Sequence, residues 1–234
     1  VAVRRPDLAG PLQPCGNPGQ VVAVQANIRR EHRWSVERAV EGADAVVNLV
    51  GLLAQGGKQT FDDVMADGAH MIAEATKSAG IGAMVHVSAI GADANSTSGY
   101  ARAKAVGESA VLAALPKSVV LRPSVMFGPD DDFFNKLGFL ASLSPVLPLI
   151  GGGKTRFQPV FVRDVAEAIA DAVEGKAKAG TIYELGGPEV KTFRECVEAV
   201  LAATHRRRLL VPWPFALAKF QARISEMEQE LDEL

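Results

Sequence analysis

Tyr100 and Lys104 stand four residues apart in Tyr100-Ala-Arg-Ala-Lys104, a spacing that puts a phenol and an ammonium on one face of a helix. The pair suits proton transfer at a carbonyl or hydroxyl group. The lysine charge is expected to lower the pKa of the phenol, which can then pass a proton to or from a substrate oxygen, while the ammonium can also hold ribose hydroxyls. Just upstream, Val85-His86-Val87-Ser88 reads as a strand that ends in a hydroxyl, and the carboxyl ends of strands are where an open α/β sheet gathers its active-site groups. Ser88, Tyr100 and Lys104 therefore form a candidate catalytic set. The plainer alternative makes Ser88 a turn cap and the other two ordinary helix-surface residues.

A second group of residues points to a dinucleotide. Arg4 and Arg5 close the first strand-like run, and no carboxylate occupies that strand end. An acidic residue there would bind a ribose 2′-hydroxyl, whereas arginines accommodate a 2′-phosphate, so the reading favours NADP(H) over NAD(H). Two solvated arginines opening a loop before Pro6 are the alternative. Asn27 and Ile28, and likewise Val50 and Gly51, follow strand-like runs at the ends where adenine and pyrophosphate would approach, and Gly51 has no Cβ to obstruct a ligand. Glycine and asparagine also end strands for conformational reasons alone. Two tempting motifs fail. Gly151-Gly152-Gly153-Lys154-Thr155 resembles the tail of a P-loop, but Pro148 stands where its first glycine belongs. Ser88 lacks the flanking glycines of a nucleophile elbow, having His86 and Ile90 instead.

The elements that must position these residues alternate between short apolar runs and helix-like stretches, the pattern of βα units on a parallel sheet. Val1–Arg4, Val21–Gln25, Ala45–Val50, Ala83–Ser88 and Ser118–Arg122 are the strand candidates, nearly continuous in hydrophobicity, as strands covered on both faces are. Ser35 is expected to cap a helix that Gly42 stops, and a helix over Phe61–Ser78 is closed by Gly80. After Pro123 a stretch rich in proline and glycine runs through Gly153. A strand near Pro159–Val162, helices over Val165–Val173 and Phe193–Ala203, and a strand over Thr181–Leu185 follow. From Phe215 onward, Leu217, Phe220, Ile224, Met227, Leu231 and Leu234 recur at three- and four-residue steps, an apolar stripe for packing or docking. The expected architecture is an α/β, doubly wound parallel sheet of Rossmann type lacking its first strand. Residues 1–123 form the nucleotide-binding part and residues 124–234 a small substrate-type lobe. The strand order 3-2-1-4-5-6 would keep Val1–Arg4 and Ala45–Val50 from pairing directly.

Composition narrows the class. The chain has 234 residues, 48% of them apolar, and a net charge of −2, enough to bury one sizeable core or a core with a smaller lobe. That balance offers no electrostatic case for nucleic acid; Arg206, Arg207 and Arg208 form one short cluster, read as a helix C-terminus. Cys15 and Cys196 are too few for a disulfide framework, and neither they nor the four histidines fall at metal-ligand spacing. A reducing compartment is the default. Phe133–Ile150 is interrupted by Asn135, Lys136, Pro145 and Pro148, so no membrane span is expected. The opening at Val1, inside a strand-like run and without methionine, reads as that of a fragment or processed form.

Taken together, these residues resemble an extended or atypical short-chain dehydrogenase/reductase. Arg122-Pro123-Ser124-Val125-Met126-Phe127-Gly128-Pro129 is similar to that family's strand and nicotinamide-side turn, which implies a cofactor contact at Pro123. Phe161-Val162-Arg163-Asp164-Val165-Ala166 is similar to its later strand-to-helix signature. The runs His86–Asp93 and Tyr100–Glu108, with Val211-Pro212-Trp213-Pro214-Phe215, are most similar to the NADPH-containing accessory subunit of respiratory complex I and its bacterial relatives. The resemblance implies a structural NADP(H), complex I subunits as partners, and a place in the cytoplasm or at the cytoplasmic or matrix face of the inner membrane. An active reductase, dehydrogenase or epimerase on a small carbonyl or sugar-nucleotide substrate is the alternative. The family's glycine-rich turn, which presents backbone N–H groups to the pyrophosphate, is not found in this sequence.

Overall fold

The computed structural model describes residues 1–57 and 59–214. In chain order the elements are β1 (Ala2–Val3), β2 (Val24–Gln25), α1 (Arg33–Val40), β3 (Val47–Asn48), α2 (Gly68–Ser78), β4 (Val85–Val87), α3 (Gly99–Ala114), β5 (Val119–Pro123), β6 (Met126–Phe127), α4 (Asp132–Leu143), β7 (Val146–Ile150), β8 (Arg156–Phe157), β9 (Val160–Phe161), α5 (Val162–Val173), β10 (Ile182–Leu185), β11 (Lys191–Thr192), α6 (Phe193–Ala203) and β12 (Leu209–Trp213). The chain divides into two compact units. The first holds Val1–Arg122 and Ile169–Tyr183; the second holds Pro123–Ala168 and the described residues from Glu184 onward.

A four-stranded sheet of order β10-β5-β4-β3 carries the first unit. The β3–β4 and β4–β5 pairs are parallel, with Asn48 opposite His86 and His86 opposite Val120. β1 pairs in parallel with β2, Ala2 opposite Val24, and not with β3, as the expected strand order requires. The expectation that these strands are covered on both faces holds for β4 and β5, which are mostly buried, but not for β2 or for Val47 of β3, which are exposed. One face packs on α1, α2 and α3 through Val36, Val40, Met71, Ile72, Met84, Val111 and Leu115. α3 and the π-helical turn Asp62–Asp67 that leads into α2 approach backbone to backbone: a Cβ on Gly107 would lie 2.2 Å from the Met65 carbonyl oxygen.

Helix ends follow local chemistry. Gly42 and Gly80 take the left-handed conformation after α1 and α2, as the sequence suggested, and the Ser98 hydroxyl caps α3 by accepting the Ala101 N–H. Ser35 is a correction. It lies inside α1 rather than at its start, buried, with its hydroxyl donating to the His32 carbonyl and accepting the Asn27 N–H.

In the second unit, the loosely read stretch after Pro123 contains a helix. Asp131 caps α4 by accepting from Phe134 N at 2.6 Å and Asn135 N at 3.4 Å, and that cap organises the interrupted apolar run behind it. β7 and β12 pair in parallel over five residues. Ala141, Leu147, Leu149, Val197 and Leu201 form the core between them, α4 and α6. A capping box of Thr192 and Glu195 starts α6. No described helix is long and apolar enough to cross a membrane. The stripe from Leu217 to Leu234 lies outside the described residues.

Candidate functional site

The candidate site belongs to the first unit and begins with β3 and β4. These strands run side by side toward Val50–Gly51 and Ser88. Asn48, buried in β3, accepts the Val50 N–H on Oδ1 at 3.0 Å, so its Nδ2 is the atom left to donate to His86 Nδ1, also at 3.0 Å. His86 is thereby fixed as the tautomer with its proton on Nε2, and that buried Nε2 has no hydrogen-bond partner. Burial, with the charge of Lys104 adding to it, lowers the His86 pKa to about 4, so the ring is neutral at physiological pH.

Lys104 is 5% exposed. Its Nζ donates to the Val87 carbonyl at 3.2 Å, and a Cβ on Gly51 would stand 3.6 Å from that nitrogen. The structure therefore joins Gly51, the end of β4 and Lys104, three places distant from one another in the chain. Burial pushes the ammonium below its usual value while Glu108, one turn further along α3, pulls the other way. Glu108 is itself buried and accepts both Nε and Nη2 of Arg122, at 2.9 and 2.7 Å.

Ser88 directly follows β4 with its N–H on the Leu121 carbonyl at 2.7 Å, and its buried hydroxyl has no hydrogen-bond partner. Tyr100 is half-buried on α3, edge-on to Phe61 with ring centroids 5.7 Å apart. A lysine one helical turn away is expected to lower its pKa. Burial raises it instead, because the phenol loses water and the neutral form is favoured.

The remaining candidates separate. Ile28 lines a cavity of about 250 Å³ with Arg29, Arg30, Glu31, Asp63 and Asp67, and Arg30 pairs with Asp67 at 2.9 Å. Asn27 serves its own turn: Oδ1 accepts the Arg29 N–H, and its N–H donates to Ser35. Val50 packs beside the core. Pro123 ends β5 and is buried. Arg4 is exposed, but Arg5 forms a two-pronged pair with Asp7, at 3.3 and 2.7 Å. A carboxylate thus does attend the strand end, supplied by the turn after Pro6 and missed because it lies past the strand. Asn48, His86, Glu108 and Arg122 also went unread as site residues. The available signal was a polar side chain inside an apolar strand, which must find a partner when buried.

Among the described residues no cluster could hold a metal ion. A dinucleotide fits what is present: Gly51 gives close approach beside a buried cation, and Ser88 offers a buried hydroxyl without a partner. A parallel α/β sheet with these groups at its carboxyl ends defines a nucleotide-binding domain of the short-chain dehydrogenase/reductase class. The chain belongs to the NAD dependent epimerase/dehydratase family, which residues 11–186 match. It is 38% identical over 217 residues to the mitochondrial NADH dehydrogenase [ubiquinone] 1 alpha subcomplex subunit 9 of Arabidopsis thaliana, covering 90% of this chain and 52% of that protein. It is 33% identical over 208 residues to the mitochondrial NADH-ubiquinone oxidoreductase 40 kDa subunit of Neurospora crassa, covering 89% and 54%. The chain thus spans about half the length of these curated relatives. The fold is also that of the dTDP-glucose 4,6-dehydratase DesIV from Streptomyces venezuelae, solved with NAD bound. There the TM-score is 0.74 at 22% identity, covering 87% of this chain and 70% of that one.

Proposed function

We propose that this chain is the nucleotide-holding part of an accessory or assembly subunit of respiratory complex I, with NADP(H) bound for structure. The observation that carries the reading is Lys104, a buried ammonium fixed on the Val87 carbonyl beside Gly51. Lys104 and Tyr100 would hold ribose hydroxyls, Ser88 would meet the nicotinamide side, and Arg4 and Arg5 the 2′-phosphate. Val50 would line the same site beside Gly51, and Asn27 and Ile28, which lie apart from Lys104, would meet the nucleotide only toward its adenine end. A nicotinamide nucleotide supplies hydride chemistry wherever a site uses it. Here the raised pKa of Tyr100 speaks for a neutral phenol that donates a hydrogen bond rather than a poised base. Similarity over nine-tenths of the chain to mitochondrial complex I subunits supports the choice of partner and a place on the matrix or cytoplasmic side of the inner membrane.

The second reading, a working reductase, dehydrogenase or epimerase, rests on the same three side chains Ser88, Tyr100 and Lys104. The native protein containing this chain should co-purify with respiratory subunits, retain NADPH through isolation, and fail to oxidise it against a panel of small carbonyl compounds. Turnover that Tyr100→Phe abolishes would overturn the structural reading in favour of the enzymatic one.

A further inference from the structure

The second unit carries an apolar surface that its core does not use. On the last turns of α4, Phe139 and Leu143 are 63% and 68% exposed, and Leu209 at the start of β12 is 64% exposed. Three contacts join these into one face. Leu209 lies opposite Val146 in the β7–β12 ladder, its N–H donates to the Pro145 carbonyl at 3.0 Å, and Arg208 Nε donates to the Ala141 carbonyl of α4 at 2.7 Å. The last bond fastens the turn carrying the exposed Arg206 and Arg207 to the end of α4. Neither residues 133–150 nor residues 199–213 contain an aspartate or glutamate. The face therefore combines protruding hydrocarbon with cations and no carboxylate from either segment.

We propose that this face binds the surface of an anionic phospholipid bilayer. Phe139, Leu143 and Leu209 enter the acyl boundary, and Arg206 and Arg207 meet the headgroups. Side chains two-thirds exposed stand out of the surface instead of lining a groove, the form in which hydrocarbon inserts shallowly into an interface. Arginine stems lie along apolar surface while their guanidinium groups reach phosphate. The charge pattern selects the partner: an anionic surface attracts each nearby arginine, and neither residues 133–150 nor residues 199–213 contribute an acid that would repel it.

The test is co-sedimentation of the chain with vesicles of phosphatidylcholine alone and of phosphatidylcholine containing about one third phosphatidylglycerol, with light scattering of the free protein. Binding to the mixed vesicles is expected, weakened by salt and poor on phosphatidylcholine alone. Arg206→Gln and Arg207→Gln should each reduce it about fivefold. Phe139→Asn and Leu143→Asn should reduce it further, whereas Trp34→Asn, an exposed aromatic in the first unit, should not. Circular dichroism checks that each variant is folded; should an apolar replacement disturb the fold, the two exposed arginines decide alone. Absence of binding, or binding that the arginine variants leave unchanged, overturns the proposal. A self-associated chain that Leu143→Asn turns into monomers assigns the face to a second copy and overturns it as well.

Discussion

Glu108, 3% exposed, accepts both Nε and Nη2 of Arg122 and so ties the middle of α3 to β5. Tyr100, Lys104 and Glu108 follow one another at four-residue steps, which makes this pair the anchor of the helix face that bears the candidate site. A buried carboxylate with a two-pronged partner is costly to break, because the remaining charge is stranded. Glu108→Gln should destabilise the chain by about 2–4 kcal/mol, discounted from a fully buried pair because Arg122 is partly exposed. Adding Arg122→Met should restore part of the loss. Urea unfolding measures both, and a loss below about 1 kcal/mol would count against the anchoring role.

Two helical glycines should respond oppositely to alanine. At Gly107 the new methyl would meet the Met65 carbonyl oxygen at 2.2 Å, against backbone that cannot rotate away. Gly107→Ala should cost about 2 kcal/mol or more by forcing α3 off the Asp62–Asp67 turn. At Gly138 of α4 the nearest atom is Val200 Cγ1 at 3.7 Å, an ordinary contact. Gly138→Ala should stabilise by about 0.5–1 kcal/mol, since alanine loses less backbone entropy in a helix. Thermal midpoints moving in the same direction would contradict this account.

What the sequence disclosed and what it hid divide on a physical line. Local signals read correctly: the apolar runs of β3, β4 and β5, the glycines after α1 and α2, and the Tyr100–Lys104 spacing all depend on neighbours within a few residues. The pairings that organise the site join distant positions. Nothing near Asn48 says that His86 will lie opposite it, and nothing near Lys104 says that the Val87 carbonyl will accept its hydrogen bond. α4 was hidden for a different reason: Asp131 caps it just after a turn, while the prolines beyond its end suggested loop throughout. Ser35 shows the reverse error, a cap-forming residue drawn inside the helix by the Asn27 N–H.

The Arg5–Asp7 pair predicts a change in nucleotide preference. Asp7 holds both prongs of the Arg5 guanidinium, and a 2′-phosphate would have to compete for them. In the native protein, Asp7→Asn should tighten NADPH binding by about two- to fivefold, the scale of an exposed pair, and leave NADH nearly unchanged. Arg4→Ser with Arg5→Ser should weaken NADPH selectively. Isothermal titration with both nucleotides measures this; equal changes for NADPH and NADH would remove these arginines from the phosphate site.

His86 predicts how the fold fails in acid. Its pKa falls from 6.5 in the unfolded chain to about 4 in the folded one, chiefly through burial, so between those values the unfolded state binds a proton that the folded state does not. Stability supplied by the neutral ring is complete above pH 6.5, declines as the pH falls toward 4, and declines no further below it. At about 1.4 kcal/mol per pKa unit the loss is about 3 kcal/mol across that window. The carboxylates that lower stability in acid titrate mostly below it, so the upper part of the window belongs to histidine. His86→Gln replaces the ring with an amide that cannot charge and can still accept from Asn48 Nδ2. It should lower stability at neutral pH, where a fitted buried hydrogen bond is altered, but flatten the decline between pH 6.5 and 5. Thermal midpoints of both proteins across that range separate the outcomes: parallel curves would show that another histidine carries the acid sensitivity, and converging curves assign it to His86.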